Sequence, residues 1–362
     1  MAAIDITGSE TAVQANAGAT SEKAAQRIAI WLLFMCGLVA AMVIVGGATR
    51  LTDSGLSITE WKPVTGAIPP LSEAAWLVEF EKYKTIPEYE FVNYGMSLDA
   101  FKVIYWWEWG HRQLGRLIGV AFFIPLVFFL ATGAVTRGLG VKLGGLFILG
   151  GLQGALGWFM VQSGLADRVD VSQYRLAAHL GLAIILFGLM LWLALDLRGK
   201  RAAPMAPQLF APSVVIAGLV FAQIILGAFV AGLRAGFTFN TWPLMDGRFF
   251  PAGYFVGAPG LNDMFETIAA VQFNHRIGAY IVTAAGLWLY VKARSTALEP
   301  RARILAIAIL GQVCLGIWTV VAATPLSLGL LHQAGALVVF SAALYTAHGA
   351  APRTRSEPAL VA

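Results

Sequence analysis

Apolar stretches recur along the whole chain and are separated by shorter polar segments. A stretch of about 20 apolar residues is long enough to cross a bilayer as a helix. The pattern predicts about eight membrane-spanning helices, approximately at 28–48, 112–135, 143–162, 174–195, 212–232, 275–293, 304–323 and 327–347. Residues 1–26 show no such periodicity and are predicted to form a disordered cytoplasmic tail. The predicted fold class is therefore an all-α polytopic membrane protein.

The composition agrees with this pattern. The chain is 58% hydrophobic and 12% charged, with a mean hydropathy of +0.72, which lies outside the range of soluble domains. Its net charge of +5 requires no nucleic acid as a partner, because the basic residues cluster in connections that can face the cytoplasm. Cys36 and Cys314 lie inside apolar runs, so no structural disulfide or thiolate metal site is predicted. The lipid bilayer is the predicted environment.

The charges of the connections alternate along the chain. The basic connections and the C-terminal tail contain Arg137, Lys142, Arg198, Lys200, Arg201, Lys292, Arg294, Arg301, Arg303, Arg353 and Arg355. By the positive-inside rule these segments face the cytoplasm, so both termini are predicted to be cytoplasmic. The long acidic loop 49–110 then lies on the outer side. Its tryptophans suit either an interfacial lid or an aromatic belt.

An internal repeat divides the chain. Three predicted helices share the pattern Q-x-x-L-G, at 153–157, 223–227 and 312–316, and the first helix has MVIVG at 42–46 in the equivalent place. The second and sixth predicted helices both open on His-Arg. We interpret the repeat as two pseudo-symmetric four-helix bundles, residues 27–200 and 201–350, followed by a cytoplasmic tail at 351–362. The small residues would allow the helices to approach closely.

Four of the five histidines occupy repeat-related positions. His111 and His275 open the second and sixth predicted helices, and His179 and His332 lie about a turn into the fourth and eighth. The predicted topology places all four toward the outer side of the membrane. A single histidine in a membrane helix is ordinarily a packing residue, but four in a repeated pattern indicate ligands. His348 lies outside the pattern, near the cytoplasmic end of the last helix.

Imidazoles that face each other across a helical bundle are typical of bis-histidine heme ligation. The pattern therefore predicts one heme in each half, held by His111 with His179 and by His275 with His332. A di-iron centre would need more glutamates, and a zinc hydrolase would need three ligands that converge on one site. A proton-coupled transporter stays open as an interpretation, although few other buried acids or bases are present.

The charged neighbours of the first and third histidines complete the predicted sites. Arg112 and Arg276 follow these histidines directly and could pair with heme propionates or with lipid headgroups. Three positions before the histidine, the first half has Glu108 and the second half has Gln272. A carboxylate beside a heme can exchange a proton or stabilise a developing cation, whereas an amide cannot exchange the proton. We therefore predict that catalysis lies in the N-terminal half, unless Glu108 only forms an ion pair with Arg112.

The chain resembles the heme A synthase family, of the type found in mitochondria and α-proteobacteria. The resemblance covers about residues 28–348 and rests on GGATRLTDSGLSI at 46–58, EWKP at 60–63, EWGHR at 108–112, FNHR at 273–276 and LHQ at 331–333. Some bacterial relatives have a cysteine pair in an outer loop. This chain has none there, which favours the mitochondrial-like subgroup.

The resemblance implies that the chain oxidises the C8 methyl group of heme O to a formyl group, giving heme A for terminal oxidases. It also implies a resident heme b on His275 and His332 in the C-terminal half. The substrate heme would lie near His111 and His179, with Glu108 as the catalytic carboxylate. The reaction is usually drawn as successive hydroxylations followed by dehydration, with electrons from a ferredoxin-like donor.

Two other functions fit parts of the pattern. A di-heme b-type electron-transfer cytochrome would place its hemes near opposite membrane faces, whereas these four histidines lie at one level. A heme transporter or chaperone would leave Glu108 without a task. The predicted location is the inner cell membrane, with the heme sites toward the periplasmic side. A heme O synthase and a second copy of the chain are the candidate protein partners besides the electron donor.

Overall fold

A computed structural model describes residues 7–166, 168–198, 205–255 and 261–352. These residues form ten α-helices, joined by loops and short 3-10 turns. The helices are α1 (Thr7–Leu51), α2 (Glu73–Tyr83), α3 (Pro87–Phe91), α4 (Leu98–Ala131), α5 (Arg137–Leu165), α6 (Gln173–Leu197), α7 (Phe210–Gly232), α8 (Ile268–Ala293), α9 (Glu299–Val321) and α10 (Leu326–Ala350).

Seven helices in the described part of the chain are long and apolar enough to cross a membrane. They are α4, α5, α6, α9 and α10, together with α1 from Glu22 and α7 with the turn before it from Pro207. The eighth long helix, α8, has 26 residues, but its first third carries the polar segment QFNHR at 272–276. The all-α class and the multi-pass character of the protein are confirmed. The cytoplasmic location of the termini stays a prediction.

Two helices begin earlier than the apolar pattern predicted. Helix α4 begins at Leu98 and α8 at Ile268, where the predicted spans began at 112 and 275. In each case a hydroxyl caps the first turn: Ser97 accepts from the backbone N–H of Ala100, and Thr267 from that of Ala270. Hydropathy marks only the part of a helix that suits lipid, so the polar first turns were missed. The two His-Arg pairs therefore lie well inside their helices, and the prediction that they open them was wrong.

The N-terminal segment also differs from the prediction. Residues 7–26, predicted as part of a disordered tail, belong to α1 in the structure. This segment is rich in alanine, the residue with the highest intrinsic helix propensity, and it leads directly into an apolar helix. Residues 1–6 and 353–362 lie outside the described residues, as do Lys200 and Arg201, so the predictions made for them stay predictions.

The long helices pack as two neighbouring groups. In one group α1 contacts α4 and α6, and α5 contacts the same two helices. In the other, α7 contacts α8 and α10, and α9 contacts the same two helices. The groups meet where α6 contacts α7 and α10, and where α1 contacts α10. This order follows the repeat in the sequence, although a separate heme role for each half stays a prediction.

One carboxylate joins two arginines, one from each helix group, at the end of this contact nearest the loop 49–110. Asp170, in the loop between α5 and α6, lies 2.6 Å from Arg50 Nη1 at the end of α1 and 2.9 Å from Arg234 Nη2 just after α7. Burial alone would raise the pKa of Asp170, but hydrogen bonds from Arg234 and Arg50 outweigh it and hold the pKa below its usual value. Arg234 also binds Asp53 at 2.6 Å.

The outer loop is a packed layer of aromatic side chains. Phe80 of α2 stacks on Phe101 of α4 with 4.9 Å between ring centroids, and Trp76 meets Tyr105 edge-on at the same separation. Helices α2 and α3 thus cover the first turns of α4. This layer holds the chain around 57–60 against α4, where Glu108 lies.

A second acidic side chain is enclosed in this layer. Glu88 of α3 is only 3% exposed, and it accepts a hydrogen bond of 3.3 Å from the Tyr83 hydroxyl. Asn93 donates to that hydroxyl at 2.7 Å. Burial raises the pKa of Glu88 to about 8, and the Tyr83 hydrogen bond opposes the rise only in part. The carboxyl group is therefore protonated at neutral pH.

We expect Glu88→Gln to raise the melting temperature by about 5 °C near pH 9 and to change it little near pH 5. The pKa of this carboxyl rises from 4.5 in the unfolded chain to about 8 in the folded one. Between those values the folded protein binds more protons, so stability is lost as the pH rises through the folded pKa. Thermal unfolding of the protein in detergent across this pH range measures the effect.

Glu90→Gln is the matched control, because Glu90 lies on the same short helix and is exposed. Its pH profile should follow that of the wild type. A Glu88→Gln profile that also followed the wild type would show that Glu88 is ionised in the folded protein.

Candidate active site

Each of the four repeat-related histidines packs against a glycine of a neighbouring helix. The pairs are His111 with Gly46, His179 with Gly157, His275 with Gly227 and His332 with Gly316. A methyl group on any of these glycines would come within 2.8–3.2 Å of the imidazole Cε1. The repeat predicted close helix contacts through small residues, and the structure shows that those residues make room for the imidazoles.

A glutamine one turn before the glycine holds three of these histidines. The Nε2 atoms of Gln153, Gln223 and Gln312 donate to the backbone carbonyls of His179, His275 and His332 at 3.0, 2.8 and 2.7 Å. The same amide nitrogens lie 3.2, 3.1 and 3.1 Å from the imidazole Nδ1 atoms. The sequence showed these glutamines as a repeat, but their role was missed. A polar residue recurring four positions before a glycine inside an apolar helix was the available signal.

The histidines of the C-terminal group face each other. The ring centroids of His275 and His332 are 6.2 Å apart and their planes are inclined at 76°. A metal–imidazole nitrogen bond is about 2 Å long, so a metal between two imidazoles sets their centroids roughly 6 Å apart. The spacing of this pair thus fits a single metal held between the two rings.

The N-terminal pair consists of His111 on α4 and His179 on α6. His179 has the glutamine contacts described above, whereas His111 does not. The Nδ1 atom of His111 is buried and has no hydrogen-bond partner among the described residues. The first helix has Met42 in the position of the glutamine. The two members of this pair therefore differ in their surroundings, although both pack on a glycine.

Glu108 is buried and accepts every hydrogen bond that it makes in the structure. Its Oε2 accepts from the Ser57 hydroxyl at 2.7 Å and from the backbone N–H of Ile58 at 2.8 Å. Its Oε1 accepts from Arg112 Nη2 at 2.7 Å and from Nε at 3.1 Å. The side chain is only 3% exposed and lies one helical turn before His111. Burial with four donors fixes the orientation of a carboxylate at this point.

Gln272 occupies the corresponding place in the second group. Its side chain donates hydrogen bonds to the neighbouring loop, whereas that of Glu108 accepts them. Its Nε2 donates to the backbone carbonyls of Ala235 and Thr238 at 2.8 and 2.6 Å. Its Oε1 accepts from Arg276 at 2.9 Å, as Glu108 accepts from Arg112. The segment after α1 thus offers donors where the segment after α7 offers acceptors. Each segment complements the atom that meets it, a carboxylate oxygen in the first group and an amide nitrogen in the second.

The two arginines bind the outer loops. Arg112 donates to the carbonyls of Ile58 and Glu60 at 2.7 and 2.9 Å, and Arg276 donates to those of Phe239 and Thr241 at 2.7 and 2.9 Å. The ion pair of Arg112 with Glu108 exists, but it is one part of a larger network. Pairing of the guanidinium groups with heme propionates stays a prediction.

A cavity of about 420 Å³ lies between the outer loop and α4. Its lining includes Glu60, Lys62, Glu79, Tyr105, Arg112 and Arg116. Trp61 and Trp158 stack beside it at 5.8 Å, and the Arg112 guanidinium lies over Trp158. None of the four histidines lines this cavity. An anionic group can bind in this cavity beside Arg112 and Arg116, but the four imidazoles lie outside it.

His348 lies apart from the other histidines. Its Nε2 is 3.0 Å from Asp196 Oδ1 near the ends of α6 and α10, and its ring meets that of Trp192 edge-on. This contact joins the two helix groups at the end opposite to Asp170. The sequence separated His348 from the other four correctly, but it did not predict the partner.

Comparison with known proteins identifies the family. The family model described as cytochrome oxidase assembly protein matches residues 29–344. The heme A synthase of Parvibaculum lavamentivorans is 56% identical over 321 residues, covering 89% of this chain and 93% of its own length. The chain belongs to the heme A synthase family. The heme A synthases of Maricaulis maris and Nitrosospira multiformis are 51% and 50% identical, over 89% of this chain and 95% and 92% of their own lengths.

Membership confirms the family predicted from the motifs, and it places the chain among multi-pass membrane enzymes of heme A biosynthesis. The matched region contains all four repeat-related histidines and Glu108. Assignment to the subgroup without outer-loop cysteines stays a prediction.

Proposed function

We propose that the chain oxidises the C8 methyl group of heme O to a formyl group and so produces heme A. The observation that carries this proposal is the fixed, buried carboxylate of Glu108 one turn from His111, where the second group has Gln272. Two sites built alike would both store a cofactor. The single substitution of a carboxylate for an amide makes one of them suitable for chemistry.

The C-terminal pair fits a resident heme b. The 6.2 Å between the His275 and His332 rings leaves room for one iron with an imidazole on each side. Gln223 and Gln312 hold both rings in orientation. When bound, a heme b would supply one-electron transfer to the neighbouring site. We assign His111 and His179 to the iron of the substrate heme.

The N-terminal residues then have separable tasks. Conversion of a methyl group to a formyl group requires two hydroxylations, after which the geminal diol loses water. Each hydroxylation inserts one oxygen atom of dioxygen into a C–H bond, while two electrons from the donor and two protons reduce the other oxygen atom to water. A carboxylate beside the carbon can transfer protons in this process or stabilise positive charge that develops there. Glu108 is that carboxylate. Ser57, Ile58 and Arg112 hold it in one orientation.

The proposed reaction also has a location and partners. The sites lie toward the periplasmic side of the inner membrane, and the electrons come from a ferredoxin-like donor. A heme O synthase is the natural source of so apolar a substrate, and association with a second copy of the chain is a further expectation. Arg112 and Arg276 would be the nearest cations to heme propionates on the outer side.

Extraction and chromatography of the hemes bound to the purified protein test this function. We expect heme B together with heme O and heme A. Heme B alone would favour a di-heme electron-transfer cytochrome, and heme O without heme A would favour a heme transporter or chaperone. Either of those outcomes, in cells that supply heme O and oxygen, would contradict the proposed reaction.

A further inference from the structure

The groups that bind Glu108 differ in what they can do when the carboxylate takes up a proton. Its Oε1 is bound by two N–H groups of Arg112, at 2.7 and 3.1 Å. Its Oε2 is bound by the backbone N–H of Ile58 at 2.8 Å and by the hydroxyl of Ser57 at 2.7 Å. An N–H group of the backbone or of arginine only donates, whereas a hydroxyl can donate or accept. Of these three partners, only Ser57 can therefore also bind the protonated acid.

The proton of such an acid has one suitable position. A proton on Oε1 of Glu108 would point at the Arg112 guanidinium group, which has no acceptor. A proton on Oε2 can instead be donated to the Oγ atom of Ser57, if the hydrogen of that hydroxyl turns elsewhere. A buried donor without an acceptor is costly, so the hydrogen bonds favour the proton on Oε2.

Ser57 has a second place for its own hydrogen. Its Oγ atom lies 3.3 Å from the backbone carbonyl oxygens of both Ser54 and Ile104. Ser57 is only 1% exposed, so these carbonyls, and not bulk water, are the alternative acceptors. Rotation about the Cβ–Oγ bond directs the hydrogen either to Glu108 or to a carbonyl. This rotation moves no heavy atom, so the carboxyl group keeps its orientation in both states.

The second repeat shows a hydroxyl in the carbonyl-bound orientation. The repeat that pairs MVIVG with QIILG also pairs Ser57 with Thr238 and Ser54 with Ala235. The Thr238 hydroxyl donates to the backbone carbonyl of Ala235 at 3.1 Å. The side chain beside it is Gln272, a neutral amide that donates to the carbonyls of the same two residues. The hydroxyl hydrogen thus lies on the carboxylate in the first group and on a carbonyl where the side chain is neutral.

Resting on the proposed function, we propose that Ser57 is a positioning residue that lets Glu108 alternate between carboxylate and carboxylic acid. Ser57 donates to the carboxylate. When a proton binds to Oε2, Ser57 turns its hydrogen to the carbonyl of Ser54 or Ile104 and accepts the hydrogen bond of the acid. One O–H bond forms at Glu108, and no bond of Ser57 breaks. The hydroxylations consume protons, and Glu108 can hold one near the substrate and release it without losing its orientation.

The solvent isotope effect on heme A formation tests this role. We expect Ser57→Ala to slow formation by about 10- to 100-fold, the equivalent of one hydrogen bond to a charged group. Its solvent deuterium isotope effect should exceed that of the wild type, because protonation of Glu108 becomes rate-limiting. Ser57→Thr, the matched control, keeps a hydroxyl and has the residue found at the repeat-related position, so its rate and isotope effect should be close to those of the wild type.

Two results of this experiment would overturn the proposal. One is an unchanged rate in Ser57→Ala. The other is a slower rate with the isotope effect of the wild type, because a residue that only supports the fold would change the rate in that way. The spectrum of the resident heme, which should be the same in all three proteins, shows that the variants are folded.

Infrared difference spectra between neutral and acidic buffer test the same contact without substrate. The band of interest is the carboxylic acid C=O stretch that is missing in Glu108→Gln. It should move to higher frequency in Ser57→Ala, because the acid proton loses its acceptor, and should stay in place in Ser57→Thr. If Ser57→Ala fails to fold, Ser57→Cys replaces it, and a smaller shift in the same direction is expected because a thiol is a weak acceptor.

The infrared result also separates this proposal from the proposed function. A Glu108 band that does not respond to loss of the Ser57 hydroxyl would overturn the role of Ser57. A protein that shows the expected band shifts but never converts heme O to heme A would refute the proposed function instead.

Discussion

Glu108→Gln should lower heme A formation by at least about 100-fold while both hemes stay bound. The amide has the shape of the carboxylate, so the hydroxyl of Ser57 and the N–H of Ile58 can still donate to its oxygen. It can neither transfer a proton nor stabilise positive charge that develops at the methyl carbon. Heme extraction from cells that make heme O, alongside the absorption spectrum of the purified variant, measures both effects.

Glu60→Gln is the control for this experiment. Glu60 also lies near Arg112, which donates to its backbone carbonyl, but its carboxylate binds the side chains of Lys62 and Lys82. We expect that variant to form heme A at close to the wild-type rate. Wild-type levels of heme A in Glu108→Gln would remove Glu108 from the chemistry and leave it as a structural partner of Arg112.

His332→Ala should abolish the spectrum of the resident heme b and, with it, heme A formation. His275 and His332 form the pair with ring centroids 6.2 Å apart, and the loss of either ring removes one side of the proposed iron site. His179→Ala should instead keep the resident spectrum and lose the substrate heme. Reduced-minus-oxidised difference spectra of the purified variants distinguish these results.

His348→Ala serves as the control for the histidine variants. It removes an imidazole from the same helix as His332, but one whose partner is Asp196 at the far end of the helix groups. Both hemes should stay bound. If His332→Ala kept a full low-spin spectrum and His111→Ala lost it, the assignment of the two halves would be reversed.

The apolar pattern was sufficient for the fold class, because lipid-spanning helices are long and almost uniformly apolar. It was insufficient for helix starts such as Leu98 and Ile268, which lie in polar turns fixed by serine and threonine caps. The apolar pattern also did not predict the aromatic layer of the outer loop. The packing of Phe80 on Phe101 depends on residues 21 positions apart, whose contact no local periodicity reveals.

The candidate site could be predicted in part. The spacing of Glu108 and His111, and the contrast with Gln272, followed from aligning the two repeats. Of the donors to Glu108, the sequence indicated only Arg112. Ser57 and the backbone N–H of Ile58 lie about 50 positions earlier in the chain, and no local pattern links them to Glu108. The glutamines were visible as a repeat, but only the structure shows that each meets a histidine on the next helix.

The carboxylate shared by the two arginines makes the two repeats complementary at this contact. Asp170 comes from the first repeat, and it pairs with Arg50 of that repeat and with Arg234 of the second. The corresponding loop of the second repeat, between α9 and α10, contains no acidic residue. Two copies of the second repeat would therefore leave both arginines without this carboxylate, so the second repeat could not replace the first here.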